Sequence, residues 1–275
     1  MRKALTFAAA VAVTMTVAAG CGSDDSSSPQ SAPASVVRAS SPAAAATTDP
    51  APSPSATTSA SPTPTPTATA TPSASATPVK LRTGSKGAAV KALQARLTEL
   101  GYWNGKADAT FVGTTQQAVY ALQKAAGLTR DGVVGPKTTA ALAKGIRPKA
   151  KSKSGHVIEI NKAKQILMIV DNGKVSTIFN ASTGSNQHYT FEGETYLADT
   201  PSGHFTASRQ INGWRHGPLG PLWRPKYFNG GIAVHGAPSV PPYPASHGCS
   251  RVSIAAMNWI WANNKMPLKT KIWVY

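Results

Sequence analysis

The sequence predicts a multidomain chain in which a small three-helix bundle precedes a mainly β domain, both set behind an exported, unstructured tether. Three observations carry this reading. The composition changes abruptly at residue 79, where a tract of Ser, Thr, Pro and Ala gives way to apolar residues. Those apolar residues recur at helical spacing as far as Gly145. Beyond that point β-branched runs separated by turn residues take over. A chain of 275 residues has room for two such domains. Its formal net charge is +17, yet acids and bases balance over residues 1–78, so the whole surplus belongs to the part expected to fold. Two Cys exclude a disulfide-dense scaffold and a Cys-rich zinc module. No uninterrupted run is apolar enough for an internal membrane span.

Residues 1–21 read as a signal peptide, with Arg2 and Lys3 leading into an Ala/Val-rich stretch that ends Val17-Ala18-Ala19-Gly20-Cys21. Small residues running into Cys21 resemble the lipobox of bacterial lipoproteins, which implies that Cys21 receives lipid and becomes the new N-terminus. The departure is Ala18, where Leu is usual; cleavage without lipidation would leave a secreted protein. Residues 22–78 contain no aromatic, Leu, Ile or Met. With nothing to bury, they cannot offset their ordering entropy and are expected to stay disordered. Fully extended, this tether would reach on the order of 170 Å.

The helical part spans residues 79–146. Val90, Leu93, Leu97 and Leu100 share one helix face, and Gly101 stops it. A second helix is expected over roughly 115–126, before Gly127, and a third from Gly135-Pro136 to Gly145, with Pro in the first turn. Gly87-Ala88-Ala89-Val90-Lys91-Ala92-Leu93-Gln94, Leu100-Gly101-Tyr102, Ala118-Val119-Tyr120-Ala121-Leu122-Gln123 and Asp131-Gly132-Val133-Val134-Gly135-Pro136 stand in the order of a known module. Together they resemble the helical peptidoglycan-binding domain. One departure is Asp108-Ala109-Thr110-Phe111, where the family tends to carry Asp-Gly-x-Phe.

Residues 147–154 form a basic connector, read as a solvated linker or, more sharply, as an attraction for wall polyanions. From residue 155 strands appear. His156–Ile160 and Gln165–Val170 are apolar and β-branched, and Asn172-Gly173 then predicts a tight hairpin into Val175–Phe179. Further strands are expected around Gly203-His204-Phe205 and Gly231–Val234, with one helix over roughly 254–263.

Chemistry concentrates in His235-Gly236 and Ser246-His247-Gly248-Cys249-Ser250-Arg251. Lipidation would consume Cys21, leaving Cys249 as the free thiol. A thiol near its ordinary pKa is a poor nucleophile until a base or a cation raises its thiolate fraction. His235 can supply that base if the intervening loop folds back. Gly248 permits close backbone approach, so amides near Cys249 can line an oxyanion site. Arg251 offers a forked donor suited to a carboxylate or to a structural ion pair. Trp214, Trp223 and Tyr227 precede His235 and are candidates for a lid or substrate wall. A zinc site from His235, His247 and Cys249 lacks a fourth ligand at suitable spacing, so neither metal nor other cofactor is expected.

These residues, with Thr200-Pro201-Ser202-Gly203 and Tyr227–Gly236, resemble the catalytic domain of the L,D-transpeptidase family over residues 155–275. The resemblance implies Cys249 as nucleophile, His235 as general base and the Gly236 carbonyl as its orienting partner. It implies an oxyanion site framed by His247, Gly248 and Cys249, and Arg251 supporting the loop or meeting a substrate carboxylate. Ser250 stands where an aliphatic residue is more usual. The implied activity is cross-linking of peptidoglycan stem peptides between third residues through a Cys thioester, with sensitivity to carbapenems. An L,D-carboxypeptidase, in which water replaces the acceptor amine, shares the first half-reaction, and a wall-binding lipoprotein with an inert domain is the non-enzymatic alternative. Sortases separate His and Cys more widely, and papain-like enzymes place Cys before His. Export makes nucleic acid an unsuitable partner for the positive charge. Stem peptides, glycan, anionic wall polymers and, through the lipid, the outer face of the membrane are the expected partners.

Overall fold

The computed structural model describes residues 80–275; the signal peptide expected over residues 1–21, the lipid acceptor expected at Cys21 and the tether expected over residues 22–78 lie outside the described residues. Three helices come first. Helix α1 (Ala88–Glu99) buries Val90, Leu93 and Leu97 and ends at Gly101, whose φ is 79°. Helix α2 (Gly113–Ala126) starts two residues earlier than its apolar pattern suggests and ends on the left-handed Gly127. Helix α3 (Pro136–Ala143) opens on its proline. Two buried glutamines pin the turns between them. The Gln94 amide donates to Asp108 Oδ1 and the Thr110 carbonyl, both at 3.0 Å, and its oxygen accepts the Ala109 N–H. Gln123 repeats the device on Asp131, Gly132 and Val133.

Strands follow in the order β1 (His156–Asn161), β2 (Ile166–Asp171), β3 (Lys174–Asn180), β4 (His188–Phe191), β5 (Glu194–Leu197), β6 (Gly203–Thr206), β7 (Arg209–Gln210), β8 (Trp214–Gly217), β9 (Gly220–Asn229), β10 (Ile232–Ala237), β11 (Ser250–Ser253) and β12 (Lys271–Val274), with helix α4 (Ile254–Ala262) before the last. One sheet runs β3-β2-β1-β12-β6; a second runs β11-β10-β9-β7 with β8 on β9; β4 and β5 form a separate hairpin. Asn172 and Gly173 have φ 48° and 79°, the two positive values a two-residue hairpin turn requires. Gln165, expected to open the second strand, instead sits in the preceding turn at φ 58°. There its amide donates to Thr183 Oγ1 and to the Lys162 carbonyl, both at 2.6 Å.

The apolar run of β2 is buried on both faces, and the period of two divides it. Ile166, Met168 and Val170, with Ile178 of β3, pack into the core of the three helices. Leu167, Ile169 and Phe179 pack on the other side with Val234, Val252, Met257 and Ile260. Each such side chain contributes about 1.5–3 kcal/mol relative to exposure. The bundle and the sheet thus share a core. The connector, expected as a solvated linker, is also tied down. Buried Glu159 of β1 accepts from the Lys151 N–H at 3.0 Å, from the Ser152 N–H at 2.7 Å and from Tyr275 OH at 2.8 Å. A carboxylate inside a sheet needs such donors, and the connector brings them.

Candidate active site

Strands β10 and β11 run parallel, with His235 opposite Arg251 and Val234 opposite Ser250. Cys249 lies one residue before β11, two positions from Arg251, so alternation along the strand sets the thiol and the guanidinium on one side. Both side chains and His235 line a cavity of about 620 Å³ together with Tyr227, Ser246 and His247. Its outer wall is the β8–β9 turn, Gly217 to Leu222, and Tyr189 of β4 reaches it from the other side. Tyr189 meets the His247 ring edge-on, with centroids 4.7 Å apart. Arg209 and Arg215 also line this cavity, and no Asp or Glu does. The side walls therefore favour a ligand bearing carboxylates.

His235 is 4% exposed, and its Nδ1 lies 2.9 Å from the Gly236 carbonyl. A carbonyl only accepts, so Nδ1 carries the proton and Nε2 is left as the basic nitrogen. Burial pushes the imidazole down to about 4; the Gly236 bond opposes this and the Arg251 charge adds to it. Burial likewise raises the Cys249 thiol, while a hydrogen bond from the Ala233 backbone and the Arg251 charge pull it the other way. The resting pair is thus a neutral imidazole beside a neutral thiol. Cys249 Sγ contacts the Gly231 carbonyl at 3.8 Å and makes no direct hydrogen bond to His235. In general, catalytic hydrogen bonds that are long in a free enzyme tighten once substrate is bound.

The turn that presents Cys249 is closed by two hydroxyls. Ser246 Oγ donates to the Cys249 carbonyl at 2.6 Å and accepts the Gly248 N–H at 3.0 Å. Thr200 Oγ1 donates to the Gly248 carbonyl at 2.6 Å and accepts the Gly184 N–H at 2.9 Å. Gly248 has φ 140°, and a Cβ there would stand 2.9 Å from the Asp199 carbonyl oxygen. Only glycine fits on both counts. Gly236 is constrained differently: a Cβ would lie 2.9 Å from Trp223 Cδ1 and 3.1 Å from Ile254 Cα.

The structure brings Cys249, His235, His247, Arg251 and Tyr227 to one cavity and separates others from it. The Gly248 amide is not open to a ligand as expected, because Ser246 Oγ already takes it. Trp214 and Trp223 do not line the cavity. Trp223 packs against Gly236 and donates its indole N–H to Asn258 at 2.7 Å, and Trp214 lies against Trp223 with centroids 5.0 Å apart. Trp223 thus packs against the strand carrying His235, and Trp214 packs on Trp223. Tyr227 remains a wall residue, covered by Arg209 at 3.8 Å from its ring. Ser246 and Thr200 stand in the sequence without an expected role, although a hydroxyl three residues before the Cys is a turn-closing signal. Tyr189, Arg209 and Arg215 had no local signal at all; only the pairing of β7 and β8 with β9 brings the two arginines in.

Residues 155–274 match the family described as the L,D-transpeptidase catalytic domain, and residues 86–142 match the peptidoglycan binding domain family. The crystal structure of an L,D-transpeptidase from Xylanimonas cellulosilytica is 54% identical, with a TM-score of 0.70, over 72% of this chain and 98% of that one. An N-acetylmuramoyl-L-alanine amidase of Bacillus licheniformis is 46% identical over 78 residues, which are 27% of this chain and 22% of the amidase. The chain therefore spans less than a quarter of that curated relative.

Proposed function

The chain belongs to the L,D-transpeptidase family, and from that premise we propose that it is an exported, lipid-anchored enzyme joining peptidoglycan stem peptides through their third residues. The observation that carries the reading is the parallel register of β10 and β11, which sets His235 beside Arg251 and Cys249 on the wall of one cavity. As Cys249 Sγ attacks the carbonyl of the third stem residue, its proton passes to His235 Nε2. The tetrahedral oxyanion is received by backbone amides of the turn, those of His247 and Cys249 rather than Gly248. Collapse expels the terminal D-Ala, whose amine takes the proton from His235, and a thioester remains. A side-chain amine of a second stem then attacks and gives its proton to His235, which passes it to the departing sulfur and so restores the thiol and the neutral imidazole.

The three guanidinium groups of the cavity support a donor with free carboxylates. Hydrolysis of the thioester by water, the carboxypeptidase outcome, uses the same first half. Purified protein supplied with defined tetrapeptide stems, with and without acceptor, separates the two. In muropeptide digests, Cys249→Ala is expected to abolish the third-to-third dimers. Unchanged dimers from that variant would overturn the assignment. A carbapenem is expected to add its mass to Cys249, and an unmodified thiol would leave only the wall-binding alternative. Peptidoglycan binding is the role proposed for the helical module, with lipid on Cys21 holding the chain at the membrane.

A further inference from the structure

The segment between His235 and Cys249 is held from outside, in part by the helical module and in part by Asn180 and Ser182 of the β part. Residues 238–245 include Pro238, Pro241, Pro242 and Pro244. Prolines donate no hydrogen bond, so such a segment cannot close its own carbonyls into turns. Outside side chains close them instead. The Val240 carbonyl accepts from Gln117 Nε2 at 3.1 Å and from Asn180 Nδ2 at 3.2 Å. The Pro242 carbonyl accepts from the Arg130 guanidinium at 3.0 Å, and the Tyr243 carbonyl from Ser182 Oγ at 2.8 Å. Gln117 belongs to α2, and Arg130 follows that helix closely.

A buried polar chain backs these contacts. Asn180 Nδ2 also donates to Gln117 Oε1 at 2.6 Å, and its Oδ1 accepts from Lys124 Nζ. Lys124, 2% exposed, also donates to the Gln165 and Ala181 carbonyls at 2.8 and 2.9 Å. Every one of these groups has its partner inside the protein, so α2 cannot shift without leaving polar groups unpaired. At its two ends the segment meets the chemistry. Pro238 and Ser239 line the cavity, and Ser246, which follows directly, closes the turn presenting Cys249.

We propose that Gln117 and Arg130 are positioning residues for acyl transfer, so that the wall-binding module is also a working part of the catalytic unit. This rests on the reading in which Cys249 is acylated. The experiment follows carbapenem acylation of the full chain by timed intact-mass measurement across carbapenem concentrations, which separates initial binding from the bond-forming step. For Gln117→Ala combined with Arg130→Ala, the bond-forming rate constant is expected to fall on the order of tenfold while initial binding changes less than about twofold. Arg130→Ala alone should fall about threefold, and Arg130→Lys should recover part of it. A mere loss of folded protein lowers the amplitude and leaves the rate constant of the remainder unchanged. If the double variant does not fold, Arg130→Ala decides, since Arg130 is only half-buried. Wild-type rate constants in the folded variants overturn this proposal alone, whereas a wild-type chain that takes up no carbapenem overturns the catalytic reading as well.

Discussion

The turn at residues 108–110 in the helical module and the turn at residues 246–249 in the β part are both closed by side chains on backbone, and they differ in two ways. In the first, Gln94 supplies the bonds and the residue with positive φ is Ala109, at 63°. In the second, Ser246 and Thr200 supply them and Gly248 stands at 140°, a value that excludes any side chain even before the Asp199 carbonyl is considered. Charge differs as well. The Gln94 bond, with the Thr110 amide, holds the Asp108 carboxyl below the usual range and so keeps it ionised. Burial holds His235 and Cys249 in their neutral forms. A turn that only joins helices tolerates a suboptimal residue; one that aims a nucleophile leaves no such room.

The largest break in this contrast comes from Gly248→Ala. The added Cβ must displace the Asp199 carbonyl or the turn itself, so carbapenem acylation of Cys249 is expected to slow on the order of a hundredfold. A rate within a few-fold of the wild type would show that the turn can relax. Acidity tests the charge difference next. His235, lowered from 6.5 to about 4, stays a neutral base at pH 5, so the acylation rate should hold between pH 7 and 5 and decline near pH 4. Asp108 contributes above its unfolded value and is lost only as pH falls through its lowered folded one, so the helical turn stays intact over the same range. A rate that titrates near 6.5 would contradict the burial of His235. The smallest effect is in the helical turn. Ala109→Gly relieves the left-handed backbone against glycine's extra entropy, a net gain of about 0.5–1 kcal/mol in thermal unfolding with acylation unchanged. Lower stability in that variant would show that Ala109 packs better than its φ suggests.

Much of this was legible without coordinates, for local reasons. The helices end at Gly101, Gly127 and Gly145 as their sequence suggests, because a left-handed stop needs a residue that bears it cheaply. The hairpin at Asn172-Gly173 follows for the same reason. Less legible were the places where distant groups decide. The connector looked solvated because its basic residues are visible in sequence, whereas Glu159, which accepts its amides, lies inside an apolar strand. Trp214 and Trp223 looked like lid residues because they precede His235, but the β9–β10 pairing turns Trp223 onto Gly236.

By itself the sequence determined the four helices, the first hairpin, the family resemblance and the residues that could carry acyl transfer, since all of these follow from periodicity, turn chemistry and short motifs. Only the tertiary structure decided that His235 and Cys249 line one cavity with three arginines and that α2 helps to secure the proline-rich segment between them. These depend on strand register and on hydrogen bonds between residues more than a hundred positions apart, such as Gln117 to Val240. No local pattern encodes such pairings, because they exist only once the chain has folded.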